Sequence, residues 1–364
     1  METNESRRQF VYQMPYVKGL CILSVVAIHI ADYSHEMSRF NWLAQSLLFL
    51  DSLLRFAVPL FIILSGFYLS LNPRNIKAIP FYRHSLKFLL IPYLAYSLFY
   101  SLLKYRLGMS VSQLTRNILL ASASPHLWFS LSIIQLYILH PFLYGGYKKS
   151  RRRWALVIGA FFIQILWSVT FSLFLPNPDQ QAAGYSVLAN LGKLLFPANI
   201  GYFVLGYFLV DHAGEAARWL KSPVAVTTGS LLWIVGAMGI TLYWGIPISR
   251  GTPYAAISYA YLAQSVLVPP MTIAAMAAIF SLAQGRFQRN TMTRKLFHRL
   301  GLYSYGIYYL NPFFVKALSW FIRHIRSISP DSIVFYLILF STAPLVTLYA
   351  VRIFSRMPFG KYVV

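Results

Sequence analysis

Long apolar runs constrain this chain more than any other feature. Crossing a hydrocarbon core of roughly 30 Å takes about 20 consecutive apolar residues in a helix. We read about ten such runs: 11–32, 45–71, 82–105, 126–147, 154–175, 186–210, 224–245, 254–284, 298–321 and 332–354. The first is too long for a cleaved signal peptide and carries Lys18 in its middle. No internal repeat is evident, and no Gly/Ser- or Pro-rich linker divides the chain. The expected fold is all-α: a polytopic transmembrane helical bundle of about ten spans, in a single integral membrane domain over residues 1–364.

Charge supports that reading and orients it. Hydrophobic residues make up 57% of the chain and charged ones only 11%. That excludes disorder and argues against a water-soluble enzyme. The formal net charge is +23, a value that often points to nucleic acid. Here the basic residues lie between apolar runs, so the expected partner is the lipid bilayer and nucleic acid is not expected. Arg7 and Arg8; Arg74, Lys77, Arg83 and Lys87; and Lys148, Lys149, Arg151, Arg152 and Arg153 fall on alternate connections. Arg218, Lys221, Arg286, Arg289, Arg294, Lys295, Arg299, Arg352, Arg356 and Lys361 continue the series. The opposite connections hold fewer: Arg39, Lys104, Arg106, Arg116, Arg250, Arg323 and Arg326. Both termini are therefore expected in the cytoplasm. Cys21 is the only cysteine, so no intrachain disulfide or cysteine metal cluster can form, and no metal site is expected.

Ionisable groups at membrane depth cost several kcal/mol, which makes them functional candidates. Lys18 and His29 are the sharpest pair. Eleven residues correspond to about 16 Å along a helix and return to within roughly 20° of the starting direction. The two side chains then share a face, with Asp32 close enough to orient the imidazole. A snorkelling lysine and an interfacial histidine are the plainer alternative. In the second run, Pro59, Ser65 and Gly66 suit a kink and close helix packing. Arg83 and Lys87 form an i, i+4 pair fit for phosphates or for lipid headgroups. His126 and Trp128 open the fourth run at interface level, and Gln135 needs a buried partner. The ninth run carries Tyr303, Ser304, Tyr305, Tyr308, Tyr309 and Asn311, a lining suited to sugars or to helix contacts. No phosphate loop, nucleophile elbow or dinucleotide glycine pattern is present.

Taken in order, these segments resemble the membrane-bound acyltransferase 3 family. The resemblance rests on a basic residue spaced eleven before a histidine (Lys18, His29) and on PLFIILSGF in the second run. It also rests on Arg83 and Lys87 leading into Pro92-Tyr93, the HLWF opening of the fourth run, and Ser304 to Leu310. Within the family, the FIILS and LIPYLAYSLFYS runs are most similar to the intercellular adhesion branch that serves poly-N-acetylglucosamine biofilm synthesis. Family members commonly have histidine where this chain has Asn311, which bears on any proton transfer there. No appended hydrolase-like domain is seen.

The resemblance implies an O-acyltransferase of a bacterial cytoplasmic membrane. It would move acetyl or succinyl from cytoplasmic acyl-CoA to hydroxyls of an extracytoplasmic polysaccharide or lipid-linked sugar. Acyl-CoA is a co-substrate, and no cofactor is implied. His29 would act as general base or acyl relay, Lys18 would help hold the donor, and Asp32 would orient His29. Arg83, Lys87 and Ser65 are candidates for donor binding. His126, Trp128, Gln135, Tyr305 and Asn311 are candidates for the acceptor. A polysaccharide synthase complex is a further expected partner. An exporter or flippase for the same glycan is the alternative, and the lack of a visible repeat speaks against it.

Overall fold

The computed structural model describes residues 2–37, 40–71, 78–105, 108–174, 191–249, 261–284, 291–358 and 360. Arg39, Arg74, Lys77, Arg106, Arg250, Arg286, Arg289 and Lys361, with the starts of the sixth and eighth runs, lie outside them. Every regular element among the described residues is helical. In chain order these are α1 (Glu2–Ala31), α2 (Trp42–Leu54), α3 (Ala57–Ser70), α4 (Ala78–Tyr105), α5 (Val111–Leu119), α6 (Trp128–Lys149) and α7 (Arg153–Phe174). There follow α8 (Ile200–Asp211), α9 (Ala213–Lys221), α10 (Pro223–Ser249), α11 (Tyr261–Gln284), α12 (Thr291–Leu302), α13 (Ser304–Ile325) and α14 (Ile333–Phe354).

Among the described residues, seven segments are long and apolar enough to cross a membrane: Val11–Glu36, Trp42–Ser70, Lys87–Tyr105, Pro125–Lys149, Arg153–Ser172, Pro223–Ser249 and Ile333–Phe354. Each coincides with one of the runs read from sequence. The other three runs are not among these seven, and the starts of the sixth and eighth lie outside the described residues. Helix α8 has only 12 residues. Helix α11 includes the apolar stretch Val266–Leu282. Helix α13 carries Tyr305, Tyr308, Tyr309, Asn311 and Lys316, which lower its hydropathy. Helix α7 exposes Trp154, Ile158, Phe162 and Leu166, and α10 exposes Leu231, Leu232, Val235 and Leu242, as helix faces against lipid would.

The second and ninth runs are each divided between two helices. The second divides at Arg55–Phe56 into α2 and α3, because Pro59 has no N–H to give the Arg55 carbonyl and the Arg55 N–H closes a turn onto Ser52 O at 3.4 Å. The ninth divides at Tyr303, whose ψ of 9° departs from the helical value and separates α12 from α13.

The chain forms two compact units. In the first, Met1–Phe61 with His212–Arg356, α1 packs against α2, α9, α11, α12, α13 and α14. Val17, Cys21, Ile22 and Ile30 of α1 are fully buried. Glycines fix its closest contact: Gly19 lies against the Phe297 carbonyl and Gly301 against the Pro15 carbonyl, so a Cβ at either position meets backbone. A second core forms where Trp244 and Ile240 of α10 meet Leu48 of α2 and Met271 of α11. The Trp233 indole N–H donates to Leu53 O at 2.8 Å. Asn41 starts α2 by accepting from the backbone of Leu43 and Ala44 at 3.0 and 3.1 Å.

The second unit is built on Ile62–Asp211. Gly66 meets the backbone of Phe203 and Gly206 meets that of Ile63, so α3 and α8 approach through small residues on both sides. Helix α6 packs against α4, α7 and α8. At the end of α8, Asp211 accepts from Lys148 and Arg153, each at 2.8 Å. Burial pushes the Asp211 carboxyl up, but the hydrogen bond and charge of Lys148, with Arg153, outweigh this and hold it below the usual carboxylate range.

Candidate active site on the first helix

Helix α1 is continuous from Glu2 to Ala31 despite Pro15, so the eleven-residue spacing of Lys18 and His29 is realised on one helix. Both side chains are half-buried. His29 sits in the last turn, and Asp32 opens the following 3-10 turn, Asp32–Glu36. Asp32 faces His35, whose Nε2 lies 3.6 Å from Oδ1, and is within electrostatic reach of His29 and Arg55. The turn is anchored further on. Glu36 pairs with Arg323 at 2.5 Å, and the Arg323 guanidinium lies over the rings of Tyr33 (5.2 Å) and Phe335 (5.6 Å).

Beside this turn is an ion pair that the sequence reading did not single out. Arg55 donates through Nε and one terminal nitrogen to Asp51 Oδ2, at 3.0 and 2.6 Å. Asp51 is only 4% exposed, and the Arg55 guanidinium stacks 4.1 Å from the Trp244 ring centroid. Asp51 is within electrostatic reach of Asp32 and His35. The available signal was an Asp and an Arg at i, i+4 inside an otherwise apolar run. The end of α1 therefore carries a connected set of charges rather than an isolated histidine and aspartate.

Helix α13 packs against α1. On it, the hydroxyls of Tyr305 and Tyr309 are 3.1 Å apart. Asn311 is fully buried and donates its amide N–H groups to Ile307 O and Tyr308 O, both at 2.9 Å. Its Oδ1 has no hydrogen-bond partner among the described residues. An amide so placed offers an acceptor and cannot exchange a proton at neutral pH.

The remaining candidates belong to the second unit. Arg83 and Lys87 are exposed one turn apart on α4. Ser65 on α3 is hydrogen-bonded to Tyr137. His126 is 5% exposed, its Nδ1 lies 3.0 Å from Ser124 Oγ, and its ring meets Tyr100 edge-on at 5.0 Å. Trp128 is half-buried and packs edge-on against Phe129. Gln135 is half-buried; it donates to Leu194 O at 3.0 Å and accepts from Phe196 N at 3.1 Å. A buried pair that sequence reasoning missed, His140 and Tyr207 (Nδ1 to hydroxyl 2.7 Å), sits among Phe81, Tyr144 and Phe203. His140, just before Pro141 in an apolar run, was the only hint of it. Thus Lys18, His29, Asp32, Tyr305 and Asn311 fall in the first unit, whereas Ser65, Arg83, Lys87, His126, Trp128 and Gln135 fall in the second.

Among the described residues, no group of three or more His, Cys, Asp or Glu could hold a metal ion. Comparison with curated proteins and with solved structures gave no match. A family model described as an acyltransferase domain matches residues 11–352. That span contains both α1 with its Lys18–His29 pair and the later helices packed around it, and the chain belongs to the acyltransferase 3 family of membrane acyltransferases.

Proposed function

We propose that the protein is an O-acyltransferase of a bacterial cytoplasmic membrane. In this reading it moves acetyl or succinyl from cytoplasmic acyl-CoA to hydroxyls of an extracytoplasmic polysaccharide such as poly-N-acetylglucosamine. The observation that carries the reading is the Lys18–His29 pair, a cation and an imidazole three turns apart on the central helix of one unit. The imidazole takes a proton from an acceptor hydroxyl as its oxygen attacks the thioester carbonyl. A C–O bond forms, the C–S bond breaks, and the coenzyme thiolate leaves with the proton that His29 held. Reacting atoms must come within about 3–3.5 Å, so Lys18 serves by holding the donor. Asp32 orients the imidazole. Arg83, Lys87 and Ser65 are assigned to the donor, with the exposed basic pair taking phosphates. His126, Trp128, Gln135, Tyr305 and Asn311 are assigned to the acceptor.

We also propose about ten spans with both termini cytoplasmic. The helical α8, α11 and α13 lie on the three runs beyond the seven long apolar segments, which supports that count. A partnership with a polysaccharide synthase complex fits an enzyme whose acceptor is a growing glycan.

The test is mass spectrometry of surface glycan from strains with and without the protein. Hydroxyl-linked acetyl or succinyl increments are expected only in the strain that has it. Identical acyl content in both strains contradicts the reading, and a drop in glycan amount without a change in acylation points to export instead.

A further inference from the structure

We propose that the cavity walled by Tyr12, Tyr16, Arg294, Lys295, His298 and Arg299 binds a phosphate ester. It measures about 390 Å³ and lies within the first unit, where the early turns of α1 face α12. That volume exceeds a bare phosphate and suits one attached to an organic group.

Charge is the first argument. Two arginines, a lysine and a histidine converge on one hollow whose lining among the described residues includes no carboxylate, and residues 285–302 contain no Asp or Glu. Lys295 and Arg299 are exposed, lie one turn apart, and form no ion pair with any described carboxylate. Like charges so gathered repel unless an anion lies between them.

Preorganisation is the second argument. Arg294 donates from Nε to the Tyr16 hydroxyl at 3.1 Å and from a terminal nitrogen to the Tyr12 hydroxyl, with its guanidinium 5.7 Å from the Tyr12 ring centroid. The fork is thereby aimed, and its other N–H groups are left to bind an oxyanion in pairs. Ring centroids of Tyr12 and Tyr16 stand 6.0 Å apart, and those of Tyr16 and His298 5.9 Å, giving an aromatic wall for the organic part. The two helices that form the hollow are locked by the reciprocal glycine contacts, Gly19 on Phe297 and Gly301 on Pro15. A general excess of cytoplasmic lysine and arginine accounts for the charges but not for the tyrosine-held guanidinium or the concavity.

Two sources supply this chemistry: the phosphates of a coenzyme A donor, which would then replace the Arg83–Lys87 assignment, and the headgroup of an anionic phospholipid. The assignment stands apart from the acyl-transfer reading, because its test reads binding and not turnover. Full-length protein in neutral detergent is titrated by calorimetry with coenzyme A, and its retained phosphatidylglycerol is counted by native mass spectrometry. The variant is Lys295→Gln with Arg299→Gln. Neither side chain holds another, and Arg294 is left in place because it holds the tyrosines. Charge-assisted contacts of this kind are worth about 10- to 100-fold in affinity. A loss of that size for coenzyme A assigns the donor, and a loss confined to phosphatidylglycerol assigns the headgroup; either supports the site. The equal charge change Arg151→Gln with Arg152→Gln should leave both probes bound as before. Unchanged binding of both probes by the Lys295/Arg299 variant, or equal losses in the two variants, would overturn the proposal.

Discussion

His29→Ala is expected to lower acyl transfer by about 100- to 10,000-fold, the usual contribution of a positioned general base, with expression and detergent stability retained. The histidine is half-buried in the last turn of α1, and the turn beyond it is anchored independently by Glu36 and Arg323. Loss of the imidazole should therefore not unravel that end. Lys18→Ala should raise the acyl-CoA concentration needed for half-maximal rate, and Lys18→Arg should be partly tolerated because the charge survives. The two alanine changes together should cost less than the sum of their separate costs, as for groups that act in one step. Near-parental transfer by folded His29→Ala protein removes the catalytic assignment and returns His29 to a packing role.

The largest stability effect is expected at Asp51. Removing one member of a buried ion pair commonly costs about 3–5 kcal/mol. Asp51→Ala takes from Arg55, which stacks on Trp244, the carboxylate that two of its nitrogens grip, while Asp32 stays within electrostatic reach. Asp51→Leu combined with Arg55→Leu removes both charges and should recover most of that loss, since apolar replacements of whole pairs are commonly near neutral. Thermal unfolding in detergent, read as a double-mutant cycle, measures this directly. A double variant as unstable as Asp51→Ala would show that the pair acts through something other than its charges.

Much of the fold was legible because a hydrocarbon solvent leaves helices few alternatives. Seven of the apolar runs reappear among the described residues as long apolar helical segments. The breaks at Arg55–Phe56 and Tyr303 were not legible. Pro59 was read as a kink, and nothing in hydropathy marks Tyr303, because the break lies in one backbone angle. The Lys18–His29 geometry depended only on helical spacing, and a continuous α1 reproduces it. The Asp51–Arg55 pair escaped notice because an apolar context hides two charges that neutralise each other at i, i+4. Gln135 shows the converse. It is half-buried rather than buried, and its partners, Leu194 and Phe196, lie some 60 residues away, a distance that no local pattern encodes. The phosphate hollow joins residues from α1 and α12, and only the packing of those helices reveals it.

The central claim is that an acyl group passes from a donor on one side of the membrane to a glycan hydroxyl on the other. Sealed proteoliposomes holding oligomers of poly-N-acetylglucosamine inside, with acyl-labelled coenzyme A added outside, test it most directly. Only protein inserted with its termini outward contributes. The account predicts label in ester linkage on the enclosed sugar, absent from liposomes carrying His29→Ala protein. Label found only on glycan supplied on the same side as the donor, or on neither, would contradict it.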